Sequence, residues 1–196
     1  MVDIEADDFC SGAGFFIGPG VIVTNYQIIK DAQKIKVFLN GNGYIYYNAD
    51  TILGYDEELN IAIIKINYKN DALTLSKDMP KKGDKVYRIT GIHEQYEVVS
   101  TATISTIATD EHGNRYMQLK TNGEPGSDGG PILNEYGEVI AISSNQYYDF
   151  GDSSDDDFEC YYLIEGLDKI DMENPISVED HYNELQRMNE EEEKAY

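Results

Sequence analysis

The sequence predicts an all-β fold followed by one C-terminal helix. Two observations predict the strands: short runs of β-branched and aromatic residues recur along the chain, and turns rich in Gly, Asn and Asp separate them. Clear examples are GFFIG, GVIVTN, KIKVFLN, NIAIIKIN and GEVIAISSNQYY. This spacing is typical of β-sandwiches and β-barrels, and 196 residues suffice for one domain or for two small fused barrels.

The third observation is a change of pattern near the C-terminus, within residues 171–196. Ser177 opens the sequence SVED, which has the pattern of a helix capping box. Four further side chains recur at helical spacing, namely Val178, Tyr182, Leu185 and Met188. We therefore expect a helix that docks through these four side chains and continues into an acidic tail.

The net charge of −22 is concentrated in the second half of the chain. Residues 1–88 hold 10 basic and 12 acidic side chains, whereas residues 89–196 hold 5 and 25. This distribution argues against direct nucleic-acid binding, because neutralising phosphates requires clustered Lys and Arg. Two interpretations remain: the charge attracts a basic partner, or it only keeps the protein soluble and monomeric.

The N-terminus and the cysteine content indicate a cytoplasmic protein. MVDIEADDF carries acidic residues where a secretory signal needs basic ones, and no apolar run approaches the roughly 18 residues of a membrane span. We expect a soluble protein without a cofactor. Cys10 and Cys160 are too few for a disulfide framework. Each fits a small buried hydrophobic residue, and a bridge between them stays open.

Four segments together resemble the trypsin-like serine proteases, and in particular the bacterial HtrA/Deg kind. They are SGAGFFIGPGVIVTNYQII, DEELNIAIIKI, GEPGSDGGPILNEYGEVIAI and YYLIEGLDKI, in the family's order and at comparable separations. The resemblance covers roughly residues 9–170. It implies a domain over residues 1–170 with two antiparallel six-stranded β-barrels, the first over about 9–85 and the second over about 86–170, and an active site between them.

The three positions that carry the family's chemistry hold other residues. The resemblance puts Gln27 at the general-base histidine, Asn60 at the orienting aspartate and Asp128 at the nucleophilic serine. An amide cannot accept a proton near neutral pH, so Gln27 cannot act as a general base. A neutral Asn60 avoids an unpaired buried anion where no imidazole can become charged. These substitutions predict a pseudoprotease, a family member that is not an enzyme.

The loop around the nucleophile position keeps the family's glycines. Gly126, Ser127, Asp128 and Gly129 match the loop whose backbone N–H groups form an oxyanion hole. Two placements of the Asp128 carboxylate fit this loop: it fills the hole as a permanent anion, or it points to solvent. Both placements stay open at this point.

Other residues with chemical potential lie outside the family motifs. We expect His93, His112 and His181 at the surface, the first two in turns of the second barrel and the third on the C-terminal helix. The run DSSDDD lacks the glycine and the closing glutamate of an EF-hand loop, so we expect no metal site.

The resemblance predicts a protein- or peptide-binding function. In active relatives the substrate adds as a strand beside the segment after the nucleophile loop, here Ile142, Ser143, Ser144 and Asn145. The next loop, which borders the specificity pocket in this family, is strongly acidic and favours a basic guest. Its acidic residues are Asp149, Asp152, Asp155, Asp156, Asp157 and Glu159.

Three alternatives stay open. The chain is a weak or unusual hydrolase whose base comes from a partner. It is an acidic decoy that imitates nucleic acid toward a basic protein, in which case its affinity falls steeply with ionic strength. In the last alternative, strand 139–148 is only barrel core and the acidic loop is a solvated tip.

Overall fold

The computed structural model describes residues 1–7, 10–39, 45–92, 96–110, 112–120, 128–143 and 159–194. The chain forms two antiparallel sheets and a C-terminal helix, which confirms the predicted fold class. The strands are β1 Val2–Ala6, β2 Cys10–Gly18, β3 Val21–Thr24, β4 Ile35–Leu39, β5 Tyr46–Asn48, β6 Thr51–Asp56, β7 Ile61–Lys65, β8 Lys85–Ile92, β9 Tyr96–Thr109, β10 Arg115–Lys120, β11 Pro131–Leu133, β12 Val139–Ser143, β13 Glu159–Leu163 and β14 Ile176–Ser177. The helices are α1 Tyr26–Ile29, a 3-10 helix Ile164–Lys169 and α2 Val178–Lys194.

The first sheet has eight strands instead of the six predicted. Their order is β14-β6-β7-β3-β2-β1-β4-β5. The additional β1 comes from VDIEA, in which Val2, Ile4 and Ala6 are buried and the acidic residues between them are half-buried. That alternation has the period of a strand with one buried face. The other addition, β14, pairs Ile176 with Ile52 of β6.

The second sheet is a closed barrel in the order β10-β13-β12-β11-β8-β9. Its six strands agree in number with the barrel that the family resemblance implies. Their inward side chains form one buried cluster, which includes Val86, Met117, Leu119, Ile140 and Tyr161. Because β12 lies between β13 and β11, both of its edges are paired with neighbouring strands.

Strand β7 connects the two cores. Ala62 and Ile64 pack into the core of the first sheet, whereas Ile61 and Ile63 join a second cluster shared with the barrel. The barrel contributes Val139 and Ile142 of β12 to that shared cluster. This two-sided burial explains why NIAIIKI is a continuous apolar run, since alternation is expected only where one face is exposed. Asn60, the residue that directly precedes β7, therefore lies near the junction of the two sheets.

The C-terminal helix begins with the predicted cap. Ser177 Oγ accepts a hydrogen bond from the backbone N–H of Asp180 at 3.0 Å, and its hydroxyl donates to Asp180 Oδ2 at 2.7 Å. The docking face differs from the predicted one. Val178 and His181 are buried, Tyr182 and Leu185 are half-buried, and Met188 is 55% exposed. The helix thus contacts the first sheet through its first two turns and projects beyond them.

Candidate functional site

Gln27 lies on α1, the single helical turn that follows β3. Three of the four residues of α1, Tyr26, Ile28 and Ile29, are buried in the core of the first sheet. Gln27 is exposed. The burial of its neighbours therefore fixes the turn and directs the Gln27 amide outward, toward the second barrel.

Asn60 lies in the turn between β6 and β7 and holds the start of α1. It is 2% exposed and has φ +51°, a left-handed conformation that Asn adopts more readily than most residues. Its Oδ1 accepts the backbone N–H of Gln27 at 2.8 Å. Its carbonyl oxygen accepts the backbone N–H of Tyr26 at 3.1 Å and Asn25 Nδ2 at 3.0 Å. Asn60 thus satisfies N–H groups that the first turn of a helix leaves without partners.

Asp128 is held beside the first sheet by its backbone. Its carbonyl oxygen accepts the backbone N–H of Ala13 on β2 at 2.7 Å. The next residue, Gly129, has φ +83°, and a Cβ there would lie 2.1 Å from the carbonyl oxygen of Ala13. Only glycine fits this close approach of loop and strand. The loop is therefore anchored to β2 at a fixed distance.

The side chains of Gln27 and Asp128 meet across the two sheets. Gln27 Nε2 donates to Asp128 Oδ2 at 3.5 Å, in an exposed setting. The half-buried Asp128 carboxylate is thus oriented toward Gln27. The structure brings positions 27, 60 and 128 together. Asn60 contacts the backbone of Gln27, and Asp128 contacts the side chain of Gln27. Gly126 and Ser127 lie outside the described residues, so filling of an oxyanion hole by Asp128 stays a prediction.

The expected peptide-binding strand is described only in part. Ile142 and Ser143 are buried at the end of β12. The backbone N–H of Ser143 donates to Gly130, and its carbonyl oxygen accepts the N–H of Gly129, at 2.8 and 2.9 Å. Strand addition therefore has to begin beyond Ser143. Ser144 and Asn145 lie outside the described residues.

The predicted acidic loop also falls outside the described residues. This applies to Asp149, Asp152, Asp155, Asp156 and Asp157. Glu159 opens β13 and pairs in register with Leu119, but its side chain is not described. The basic-guest interpretation of this loop thus stays a prediction.

His181 is buried, and the prediction of a surface histidine is wrong. It is 1% exposed, and its Nε2 lies 3.2 Å from the hydroxyl oxygen of Tyr26. The helical spacing from Val178 to His181 and on to Leu185 was the signal that could have found it. His112 is at the surface as predicted, 3.9 Å from a carboxylate oxygen of Glu58, and His93 lies outside the described residues.

Burial shifts the pKa values of this buried pair toward the neutral forms. Burial lowers the pKa of His181, while Glu184, Glu57 and Asp31 act in the opposite direction. Burial, with Glu57 next, strongly raises the pKa of Tyr26. The contact between His181 and Tyr26 is therefore one between two neutral groups at neutral pH.

Cys10 is an exposed free thiol, so the prediction that it is a small buried hydrophobic residue is wrong. It opens β2 at the edge of the described segment, opposite Ala6 of β1. The side chain of Cys160 is not described. Because Cys10 is free, the bridge to Cys160 left open by the sequence is absent.

Two further properties of the described residues bear on ligands and location. Within the described ranges, no group of three or more His, Cys, Asp or Glu side chains is placed to hold a metal ion. In the same part of the chain, every helix is too short or too polar to cross a membrane.

A model of the trypsin-like peptidase domain matches residues 12–142. The chain is 31% identical over 150 residues to a probable periplasmic serine endoprotease, DegP-like, of Chlamydia pneumoniae, covering 71% of this chain and 30% of the relative. It is 26% identical over 136 residues to the anti-sigma-I factor RsgI9 of Acetivibrio thermocellus, covering 68% of this chain and 19% of the relative. The chain thus spans less than a third of either relative.

A solved structure supports the fold. The inactive form of the Rv3671c protease superposes with a TM-score of 0.68 at 18% identity, covering 86% of this chain and 85% of that chain. At this identity the likeness concerns the fold alone.

These comparisons correct one expectation. The residues at positions 27, 60 and 128 predicted a chain that is not an enzyme. That prediction is wrong at the level of the family, because the matching domain is a peptidase domain and the relatives include named serine proteases.

Proposed function

Because this chain belongs to the trypsin-like peptidase family, we propose that it binds a basic polypeptide segment where Gln27 and Asp128 meet. The observation that carries this proposal is the exposed contact of 3.5 Å between Gln27 Nε2 and Asp128 Oδ2. A carboxylate has about four acceptor sites, so Asp128 can bind a cationic side chain while keeping the contact to Gln27.

The charge distribution supports a basic partner. Residues 89–196 hold 25 acidic and 5 basic side chains, and Asp128 lies within that half. A field of one sign speeds the approach of a partner of opposite charge and disfavours acidic ones. The acidic charge therefore favours basic partners over acidic ones, and the contact at Asp128 gives one cationic side chain a defined position.

The names of the relatives support a polypeptide as the ligand. One is named a serine endoprotease and the other an anti-sigma-I factor. Both names describe proteins that act on other proteins, one by cleavage and one by regulation. Binding a polypeptide is common to both and does not depend on a Ser-His-Asp triad.

Peptide hydrolysis is a second candidate, favoured by the serine protease names among the relatives. Gln27 cannot accept a proton near neutral pH, so the general base would have to come from a partner. Cleavage of an unstructured peptide in the presence of that partner, and not in its absence, supports this candidate. Peptide hydrolysis also requires that the polypeptide binds first.

The proposal is tested with a fluorescein-labelled unstructured peptide containing Arg and Lys, measured by fluorescence anisotropy. Asp128→Asn removes the charge at nearly constant shape, and Glu135→Gln removes one from an exposed turn of the same barrel. We expect Asp128→Asn to weaken binding by about 10- to 150-fold, since one charge-assisted hydrogen bond contributes about 1.5–3 kcal/mol. Glu135→Gln should change it less than twofold.

The same titration at low and high salt separates the proposal from the acidic decoy. A site at Asp128 keeps much of its affinity at about 0.5 M salt, where the Debye length is only a few ångströms. Equal effects of the two variants, together with complete loss of binding at high salt, would support the decoy and contradict the proposal.

A further inference from the structure

The C-terminal helix contacts the first sheet at the residue next to Gln27. His181 of α2 is 1% exposed, and its Nε2 lies 3.2 Å from the hydroxyl oxygen of Tyr26. Tyr26 is the first residue of α1 and directly precedes Gln27. Its ring belongs to the core of the first sheet, as does Val178 at the start of α2.

Tyr26 also connects His181 to the turn that carries Asn60. The Tyr26 ring stacks on Tyr55 at 4.5 Å and 6°, and the His181 ring meets Tyr55 edge-on at 4.9 Å. The Tyr26 hydroxyl lies 3.5 Å from Glu57 Oε1. The carbonyl oxygen of Glu57 in turn accepts the backbone N–H of Asn60 at 3.2 Å. The buried His181 and Tyr26, together with the exposed Tyr55 and Glu57, thus form one cluster. This cluster contacts the backbones that position both Gln27 and Asn60.

We propose that His181 is a positioning residue for the site: docked and neutral, it holds Tyr26 and thereby aligns Gln27 with Asp128, and protonation of His181 releases this arrangement. The site-binding part of this inference rests on the proposed function. The structural part, from His181 to α1, does not.

The direction of the pH effect follows from burial. The groups that face His181 are Glu184 on α2, Tyr26 and Asp31 at α1, and Tyr55 and Glu57 at the end of β6. The carboxylates favour the imidazolium, but burial outweighs them and lowers the pKa of His181. A released helix returns this pKa to its ordinary value of about 6.5.

Release of the helix therefore takes up a proton at mildly acidic pH. Since the docked pKa is the lower one, the contribution of His181 to docking is complete above about pH 6.5 and declines as the pH falls toward the docked pKa. The expected dependence thus belongs to His181.

The test measures amide hydrogen exchange of the whole chain at pH 7.0 and 5.5, corrected for intrinsic exchange rates. Peptides covering residues 24–30, 57–62 and 178–186 report α1, the Asn60 turn and the docked part of α2. We expect protection in all three to fall several-fold together at pH 5.5 in the parent protein and in His112→Gln, which changes an exposed histidine. His181→Gln keeps a hydrogen-bonding group without the titration, so its protection should not depend on pH in this window.

Two results overturn the positioning role: an unchanged pH dependence in His181→Gln, or loss of protection in α2 without loss in 24–30. If His181→Gln does not fold, Tyr26→Phe is measured in its place. Loss of the Tyr26 hydroxyl should lower the protection of α2 amides several-fold at pH 7.0. Protection equal to that of the parent protein overturns the proposal. The labelled basic peptide is titrated in parallel. Coupled exchange without peptide binding contradicts the proposed function but leaves the positioning role intact.

Discussion

The backbone N–H of Gln27 donates to Oδ1 of Asn60 at 2.8 Å, and Asn60 is 2% exposed with φ +51°. This contact combines a backbone donor at the start of α1 with a left-handed conformation at the buried Asn60, so Asn60 meets two requirements. It holds the helical turn from which Gln27 reaches the second barrel. Position 60 therefore acts on the site through backbone geometry.

Replacing Asn60 should reveal both requirements. Asn60→Ala leaves the Gln27 N–H without its acceptor, at about 1–3 kcal/mol, and adds about 1–2 kcal/mol for the left-handed conformation. Asn60→Gly loses only the acceptor and should be destabilised less. Urea denaturation of the three proteins checks this order. Equal stability of the parent and Asn60→Ala would contradict the role assigned to Asn60.

Gly129 should be essential for the contact between the loop and β2. Gly129→Ala places a Cβ 2.1 Å from the carbonyl oxygen of Ala13 at φ +83°, so the loop has to move. We expect a loss of at least about 3 kcal/mol in the free energy of unfolding. Gly137→Ala is the matched control, with φ +78° and nothing within 4 Å of the new Cβ. It should lose only about 1–2 kcal/mol, and similar losses at both positions would speak against the close contact.

The geometry at positions 27, 60 and 128 predicts the outcome of introducing there the three residues that the family resemblance assigns to these positions. In the triple variant Gln27→His, Asn60→Asp and Asp128→Ser, the new imidazole lies across from the new hydroxyl, where it can take up its proton. Fluorophosphonate labelling of this variant should be faster than that of Asp128→Ser alone. In-gel fluorescence over time measures both rates. Equal rates would show that positions 27 and 128 are not aligned for proton transfer.

Ser177 should control the local stability of α2. Ser177→Ala removes the acceptor for the N–H of Asp180, which lies at 3.0 Å, and costs about 1 kcal/mol. Amide exchange in residues 178–186 should become about fivefold faster. Asn183→Ala, on an exposed position of the same helix, serves as the control and should not accelerate exchange. Unchanged exchange in Ser177→Ala would mean that docking alone fixes the helix.

The strands and the helix cap could be predicted because their signals are local. The run NIAIIKI predicts a buried strand from its composition, and SVED predicts a helix start from four adjacent residues. The alternation of apolar and acidic residues in VDIEA was also sufficient to predict strand β1. Strand β14 carried none, because two residues form a strand only through their pairing with β6.

The proximity of the three candidate positions could be predicted from the sequence, but their contacts could not. Motif matching identified Gln27, Asn60 and Asp128, but it did not indicate that Asn60 binds the backbone of Gln27. The burial of His181 depends on Tyr26 and Tyr55, which lie more than a hundred residues earlier in the chain. Such contacts are determined by tertiary packing, so the helical spacing can indicate that His181 is buried but not which side chains it contacts.

The most direct test of the central claim is an NMR titration of the ¹⁵N-labelled protein with the basic peptide. If the peptide binds where Gln27 and Asp128 meet, the side-chain amide of Gln27 and the backbone amides of Ala13 and Gly129 should shift at low peptide concentration and saturate together. The same resonances should respond far less in Asp128→Asn. Shifts spread over acidic surface positions, with no change at Gln27, Ala13 or Gly129, would contradict the account.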